Sequence, residues 1–380
     1  MSHLSAVICE FNPLHRGHEA LLKYVAQDDS TVLCIMSGNF TQRSECAIYD
    51  KYKRTEAALR VGADLVLEIP FPWCSAGAEF FAFGAVSIGA AVGVDRFVFG
   101  SESGSTDHVI RAADISLSDD FRDYLATINT SDTGAATAYD RSMRHFGVTL
   151  SSNDKLAAEY VKSARKLGST AEFEAFHRIT DTDIYRSATE LRRMIYKNGT
   201  ESAEKYLAQG TKALYSEESD VAEHRLCEIE HMYFRLFANE SNDAFDAGGG
   251  LYERLKNAAK ESADYREFFD KAATKKYTDS RLRRAALYTL LGVTEEMVKS
   301  RPEVTLLLGA NAKGREYLSK IRKTSEITII TKPADDKGLS TIGKAQLETV
   351  RRADELYSMC LKERVTYGEF IKRHPVILED

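Results

Sequence analysis

Long apolar runs are missing from this 380-residue chain: no stretch of eighteen or more apolar residues exists to cross a bilayer. The first residues run straight into a short apolar segment, without a basic region ahead of a cleavable apolar stretch, so no signal peptide is read. Cysteine is sparse. The six (Cys9, Cys34, Cys46, Cys74, Cys227, Cys360) are scattered and form no C-x-x-C pair, which points to reduced thiols, a cytoplasmic location and no zinc site. Internal repeats and low-complexity tracts are absent too. With a net charge of −6, the average gives no sign of a nucleic-acid binder. That average hides a polarity. Between Lys271 and Lys332 there are fourteen Lys/Arg and six Asp/Glu, a basic segment on an acidic protein. Charge alone leaves two readings open, a phosphate-binding face or solvated helix faces.

What is present is rhythm. Ala6–Phe11, Thr31–Met36, Asp64–Ile69 and Asp95–Phe99 read as short buried strands. Helical patterns from Gly17, from Lys51 to Val61 and from Ala76 to Ala91 separate them. Strand and helix alternate four times in about a hundred residues, which implies a parallel sheet with helices on both faces. Residues 110–164 read as mainly helical, Phe173–Ile179 as a late strand, and Asp183–Tyr196 as a polar turn entering a helix. After Asn198-Gly199-Thr200 long helical patterns dominate, apart from an isolated β-type run at Ile327–Thr331. The expected fold is α/β, a parallel-sheet domain over 1–200 followed by a mainly α-helical domain over 201–380.

The chemistry sits in Glu10-Phe11-Asn12-Pro13-Leu14-His15-Arg16-Gly17-His18, between the first strand and its helix. Two histidines three apart are more often surface or satisfied core residues than a site, and a metal pair would need a third ligand. Position decides. In an open α/β sheet, ligands bind beyond the carboxyl ends of the strands, and the following helix offers free amides and a positive dipole end. Gly17 permits close approach of a ligand to the backbone. His15 and His18 are placed to donate to phosphate oxygens and to stabilise charge on phosphorus and departing pyrophosphate. Ser187-Ala188-Thr189-Glu190-Leu191-Arg192 opens a later helix, where Ser187 or Thr189 would cap and a second phosphate-binding end could form.

Together, H-x-G-H after the first strand and "SATELR" opening a late helix resemble the HIGH-type nucleotidyltransferase superfamily. The blocks "FNPLHRGH", "MSGNFTQRSECA", "KYKRTEAALRVGADLVLEIPF", "FVFGSESG", "SSNDKLAAEYVKS", "YTDSRLRRAALYTLLGV" and "LLLGANAKGREYLSKI" are similar, in order, to the bacterial tRNA(Met) cytidine acetate ligases. The resemblance implies activation of acetate by ATP, with Mg²⁺ accompanying the nucleotide and no all-protein metal site, and acetylation of N4 of the wobble cytidine of elongator tRNA(Met). It implies neither a membrane nor a DNA partner. His15 and His18 are implied to be catalytic. The implied ATP site covers Val7, Ile8, Cys9, Glu10, Phe11, Asn12, Pro13, Leu14, His15, Gly17, His18, Gly100, Asn153, Arg178, Ser187, Thr189 and Arg192. Taken alone, Gly100 reads as a turn, Asn153 as a cap and Arg178 as a strand-edge charge; Lys51 and Arg54 read as solvated. The basic segment is implied to be a tRNA backbone surface, built from Lys275, Lys276, Arg281, Arg283, Arg284, Lys313, Arg315, Lys320, Arg322 and Lys323. Where the family reads "QRGEPA", this chain has Gln42-Arg43-Ser44-Glu45-Cys46-Ala47, so an altered loop is expected. Two rivals remain. A small-molecule adenylyltransferase would share the N-terminal motifs, and a catalytically silent RNA-binding homologue would keep the fold.

Overall fold

The computed structural model describes residues 3–128, 134–178, 185–238, 243–274 and 277–379. The first half runs β1 (Leu4–Cys9), α1 (Arg16–Val25), β2 (Thr31–Ser37), α2 (Lys51–Arg60), β3 (Leu65–Ile69), α3 (Ala78–Ala91), β4 (Arg96–Ser101), α4 (Thr106–Leu117), α5 (Asp119–Ala126), α6 (Ala135–His145), α7 (Ser152–Leu167), β5 (Glu172–His177) and α8 (Ala188–Asn198). The second half continues α9 (Arg225–Leu236), α10 (Leu251–Glu261), α11 (Tyr265–Ala272), α12 (Asp279–Leu291), α13 (Glu295–Lys299), β6 (Val304–Ala310), α14 (Ala312–Ile321), β7 (Thr328–Ile330), α15 (Thr341–Cys360), α16 (Glu369–Lys372) and β8 (Val376–Ile377).

The sheet order is β5-β4-β1-β2-β3-β6-β7. The five strands of the first half are parallel, and β2 and β3 lie on one side of β1 while β4 and β5 lie on the other. The chain therefore changes direction of winding beside β1. Alternate strand residues feed two cores. Leu4, Ala6, Leu33, Ile35, Leu65 and Leu67 pack with Phe81, Ala85 and Ile88 of α3. Val7, Cys9, Val32, Cys34 and Val66 pack with Leu21 and Leu22 of α1, Ala57 of α2 and Leu191 of α8. Burial on both faces is why these strands read as continuous apolar runs.

The sequence reading divides the chain near residue 200. Residues from Phe234 to Ala286 surround a core of their own. After them β6 returns to the sheet, antiparallel to β3, with β7 and β8 beside it. The run Ile327–Thr331, isolated in the sequence, is thus a sheet edge, and β6 is a strand that the sequence reading did not include. Among the described residues, no helix is long and apolar enough to cross a membrane.

Candidate active site

Opposite winding on the two sides of β1 opens a crevice at the carboxyl ends of β1 and β4, the usual ligand position in such sheets. Both ends carry the motifs. Beyond β1, His15 is the N-cap of α1, and its Nδ1 accepts from the Gly17 amide at 3.1 Å. The His15 amide in turn points to Nδ1 of His18 at 3.4 Å. The two rings stack with centroids 3.6 Å apart and an interplanar angle of 18°. Burial, then the guanidinium of Arg178, holds the His15 imidazole down at about 3. His18 is pushed well below its ordinary value by burial, by His15 and by Arg178. Both rings are therefore neutral at pH 7. With each Nδ1 accepting from backbone, the proton of each ring sits on Nε2, which leaves two N–H donors free of the backbone.

Gly17 earns its place by space. A Cβ there would lie 3.1 Å from Cε1 of His15 and 3.8 Å from Tyr185. Gly100, near the end of β4, has the same reason: its Cβ would meet Cγ of Arg178 at 3.2 Å. Just beyond it Glu102 gathers three donors, Arg178 at 3.1 Å, Asn153 at 2.5 Å and Ser151 at 2.5 Å. Asn153 and Arg178, distant in sequence, are brought together by this carboxylate, which the sequence reading did not single out.

From the other side Arg192 of α8 donates to the Asn12 carbonyl at 3.0 Å and to Thr189 Oγ1 at 3.3 Å. The late motif is thereby fastened to the β1–α1 turn. Ser187 caps α8 in a reciprocal box, its hydroxyl taking the Glu190 amide while the Glu190 carboxylate takes the Ser187 amide. That carboxylate already occupies the helix end. Val7, Cys9, Phe11, Asn12 and Leu14 are buried, and Ile8 is half-buried. In this turn the Asn12–Pro13 peptide is cis, and Phe11 has φ +49°. The Asn12 side chain accepts from the Ile48 amide at 2.9 Å. Glu10 accepts from the Gln42 amide at 2.7 Å, and burial raises its carboxyl above the ordinary range.

Two corrections follow from α2. Lys51 and Arg54, read as solvated, are wholly buried. Lys51 lies between Asp354 at 2.7 Å and Glu68 at 2.9 Å. Arg54 donates to the carbonyls of Glu10, Ser37, Gly38 and Tyr49, and so ties together the carboxyl ends of β1 and β2 that frame the crevice. The available signal was spacing: Lys51, Arg54 and Ala58 share one helix face.

The basic segment does not form one surface. Because β6 is antiparallel to β3, it carries the chain from the carboxyl end of the parallel strands to their amino end. Arg283 lies 3.9 Å from Glu45, in the loop after β2, on the crevice side. Lys313 bonds the Ser30 carbonyl at 2.9 Å, before β2, on the far side. Arg281 and Arg284 pair with Asp246, Lys320 with Glu316 and Arg322 with Asp335. Lys275 and Lys276 lie outside the described residues.

The altered loop keeps a glycine-type turn. Ser44 has φ +59°, with its amide on Thr41 O at 2.8 Å and its hydroxyl on Ser75 O at 3.1 Å.

A doubly wound sheet with an H-x-G-H helix start at its switch point defines a nucleotidyltransferase of the HIGH type, and the profile of the HIGH Nucleotidyl Transferase family matches residues 2–369. Named relatives extend over the whole chain. The tRNA(Met) cytidine acetate ligase of Thermoanaerobacter pseudethanolicus is 32% identical, covering 98% of each chain. That of Lactobacillus gasseri is 32% identical over 95% of this chain and 97% of its own. A crystal structure of Thermotoga maritima TmcAL bound with alpha-thio ATP superposes with a TM-score of 0.88 at 28% identity, covering both chains fully. The chain belongs to the tRNA(Met) cytidine acetate ligase family.

Proposed function

We propose that this ligase converts acetate and ATP to acetyl-adenylate and pyrophosphate, and then acetylates N4 of the wobble cytidine of elongator tRNA(Met), in the cytoplasm. In the first step an acetate oxygen attacks the α-phosphorus, and pyrophosphate leaves with the electron pair of the broken P–O bond. In the second, the N4 amine attacks the acetyl carbonyl carbon, AMP leaves with its electron pair, and the amine gives up one proton. The observation that carries the reading is the neutral His15–His18 pair beside Arg178. Two N–H donors and a guanidinium, fixed in place before the substrate arrives, suit charge that grows on phosphate oxygens as pyrophosphate departs.

In this reading His15 and His18 face the phosphates, and Arg178 and Arg192 flank them. Val7 to Leu14 offer backbone to the nucleotide, Gly17 and Gly100 leave it room, and Asn153, Ser187 and Thr189 supply polar contacts. Mg²⁺ accompanies the triphosphate. Phosphates and water would be its main ligands. Residues 201–380 supply the tRNA-binding part, with Arg283 of α12 lying 3.9 Å from Glu45 of the loop after β2.

ATP–pyrophosphate exchange tests the first step, with acetate, propionate or formate, with and without elongator tRNA(Met). Acetate-dependent exchange is expected. Absence of exchange with every acid, in the presence of that tRNA, would overturn the reading.

A further inference from the structure

Glu45, in the loop after β2, and Arg283, on α12, come from distant parts of the chain and meet. Their charged groups are 3.9 Å apart, too far for a hydrogen bond, and their side chains are 39% and 35% exposed. Each is nevertheless held. Glu45 follows the Ser44 turn, and its carbonyl accepts from the Thr41 amide at 3.0 Å. The next residue, Gln42, bonds Glu10 at the end of β1, so the loop is fixed to the nucleotide side. Arg283 donates to Cys227 Sγ at 3.6 Å and lies over the Phe269 ring at 5.3 Å.

Beneath them is an anomaly. Glu230, one turn from Cys227 on α9, is 1% exposed, and one of its carboxyl oxygens has no hydrogen-bond partner. Burial pushes this carboxyl up to about 8, with Arg283 opposing, so at pH 7 it is largely neutral. A buried polar atom left unpaired is costly and calls for a reason. The pair is one carboxylate and one guanidinium 3.9 Å apart, with no hydrogen bond between them.

We propose that Glu45 and Arg283 read the pairing edge of the acceptor base, with Glu45 accepting from the exocyclic amine of cytosine and Arg283 donating to its ring N3 and O2. This rests on the acetyl-transfer reading above. An acceptor beside donors matches cytosine, whose N4 amine donates while N3 and O2 accept. Uracil reverses two of these positions: O4 accepts and N3 donates. A base chemically modified at an exocyclic atom must leave its stack, and its pairing edge is then open to such groups.

The test is binding of two anticodon stem-loop RNAs of elongator tRNA(Met), one with cytidine and one with uridine at the wobble position, measured by fluorescence anisotropy. The unaltered protein is expected to prefer the cytidine form by about tenfold or more. Glu45→Gln is expected to reduce the preference to within about twofold, and Arg283→Met likewise. If Arg283→Met does not fold, Glu45→Gln decides, because its side chain lies on a partly exposed loop. No preference in the unaltered protein, or a preference that survives Glu45→Gln, overturns the assignment. Acetate-dependent exchange on the same preparations separates the two levels. If exchange is present and the preference survives, only this pocket falls; if exchange never appears with any acid, even with the tRNA, the acetyl-transfer reading falls and takes the pocket with it.

Discussion

The ring of His15 lies flat on the ring of His18, 3.6 Å between centroids, with each Nδ1 turned to a backbone amide. Two imidazolium ions would not tolerate that arrangement beside Arg178. The folded state therefore excludes protons that the unfolded chain accepts near pH 6.5. The sign is fixed by linkage. For a histidine held down to about 3, the stability is complete above the unfolded value and is lost as pH falls from about 6.5 toward 3. From pH 6.5 to 5 His15 alone should cost about 2 kcal/mol. Urea unfolding at stepped pH checks this. His15→Asn keeps a capping oxygen, removes the titration and should flatten the slope; an unchanged slope would assign the pH dependence elsewhere.

His18→Ala should lower acetate-dependent exchange about a hundredfold or more, the scale of losing one donor to developing charge. The effect should fall on the maximal rate more than on the apparent KM for ATP, since the donor acts as charge grows. A loss confined to KM would mean that His18 only helps to bind the ground state.

Gly17→Ala puts a methyl group 3.1 Å from the His15 ring, tighter than ordinary contact, so the ring must shift by a few tenths of an ångström. Alanine also favours the helix that starts here, by about 0.5–1 kcal/mol. Stability should then stay within about 1 kcal/mol of the unaltered protein, while exchange drops tenfold or more because the ring has moved. Thermal unfolding beside exchange kinetics distinguishes the outcomes. Equal activity would show that the histidine pair does not need its present position.

The legible parts of this molecule were those whose cause is local. Strands β1 to β4 announce themselves as apolar runs because both faces of the sheet are covered, and the β1–α1 turn carries its chemistry in consecutive residues. What escaped depends on partners far along the chain. Glu102 matters because Ser151, Asn153 and Arg178 converge on it. Arg54 looks like a surface charge until the carbonyls of Glu10, Ser37, Gly38 and Tyr49 converge on it. Strand β6, Val304–Ala310, lies in a basic, helix-rich segment that hides it, and its direction splits that segment between the two ends of the sheet. Charge counted along a chain does not show which end of a sheet each charge reaches.

Lys51 joins the first and second halves of the chain. Its ammonium, wholly buried, joins Glu68 of β3 and Asp354 of α15 at 2.9 and 2.7 Å, and Asn39 adds a bond to Asp354 at 2.9 Å. Burial pulls the Lys51 ammonium toward neutrality, but Asp354 and Glu68 more than reverse it. Burial also pushes Glu68 up to about 7, against the pull of Lys51. Lys51→Met removes the only cation of the triad and strands two carboxyls, which should cost about 3–5 kcal/mol at pH 7.5. Protonation is the available relief. A carboxyl whose folded value is raised loses stability as pH rises from its unfolded value of about 4.5, so the deficit of Lys51→Met should shrink as pH falls toward 5. Adding Glu68→Gln and Asp354→Asn should recover part of it at pH 7.5, since neutral amides need no counter-ion. Urea unfolding of the three proteins at both pH values is the measurement. A deficit under about 1 kcal/mol, or one that does not change with pH, would mean that α15 is held to the sheet by packing rather than by this triad.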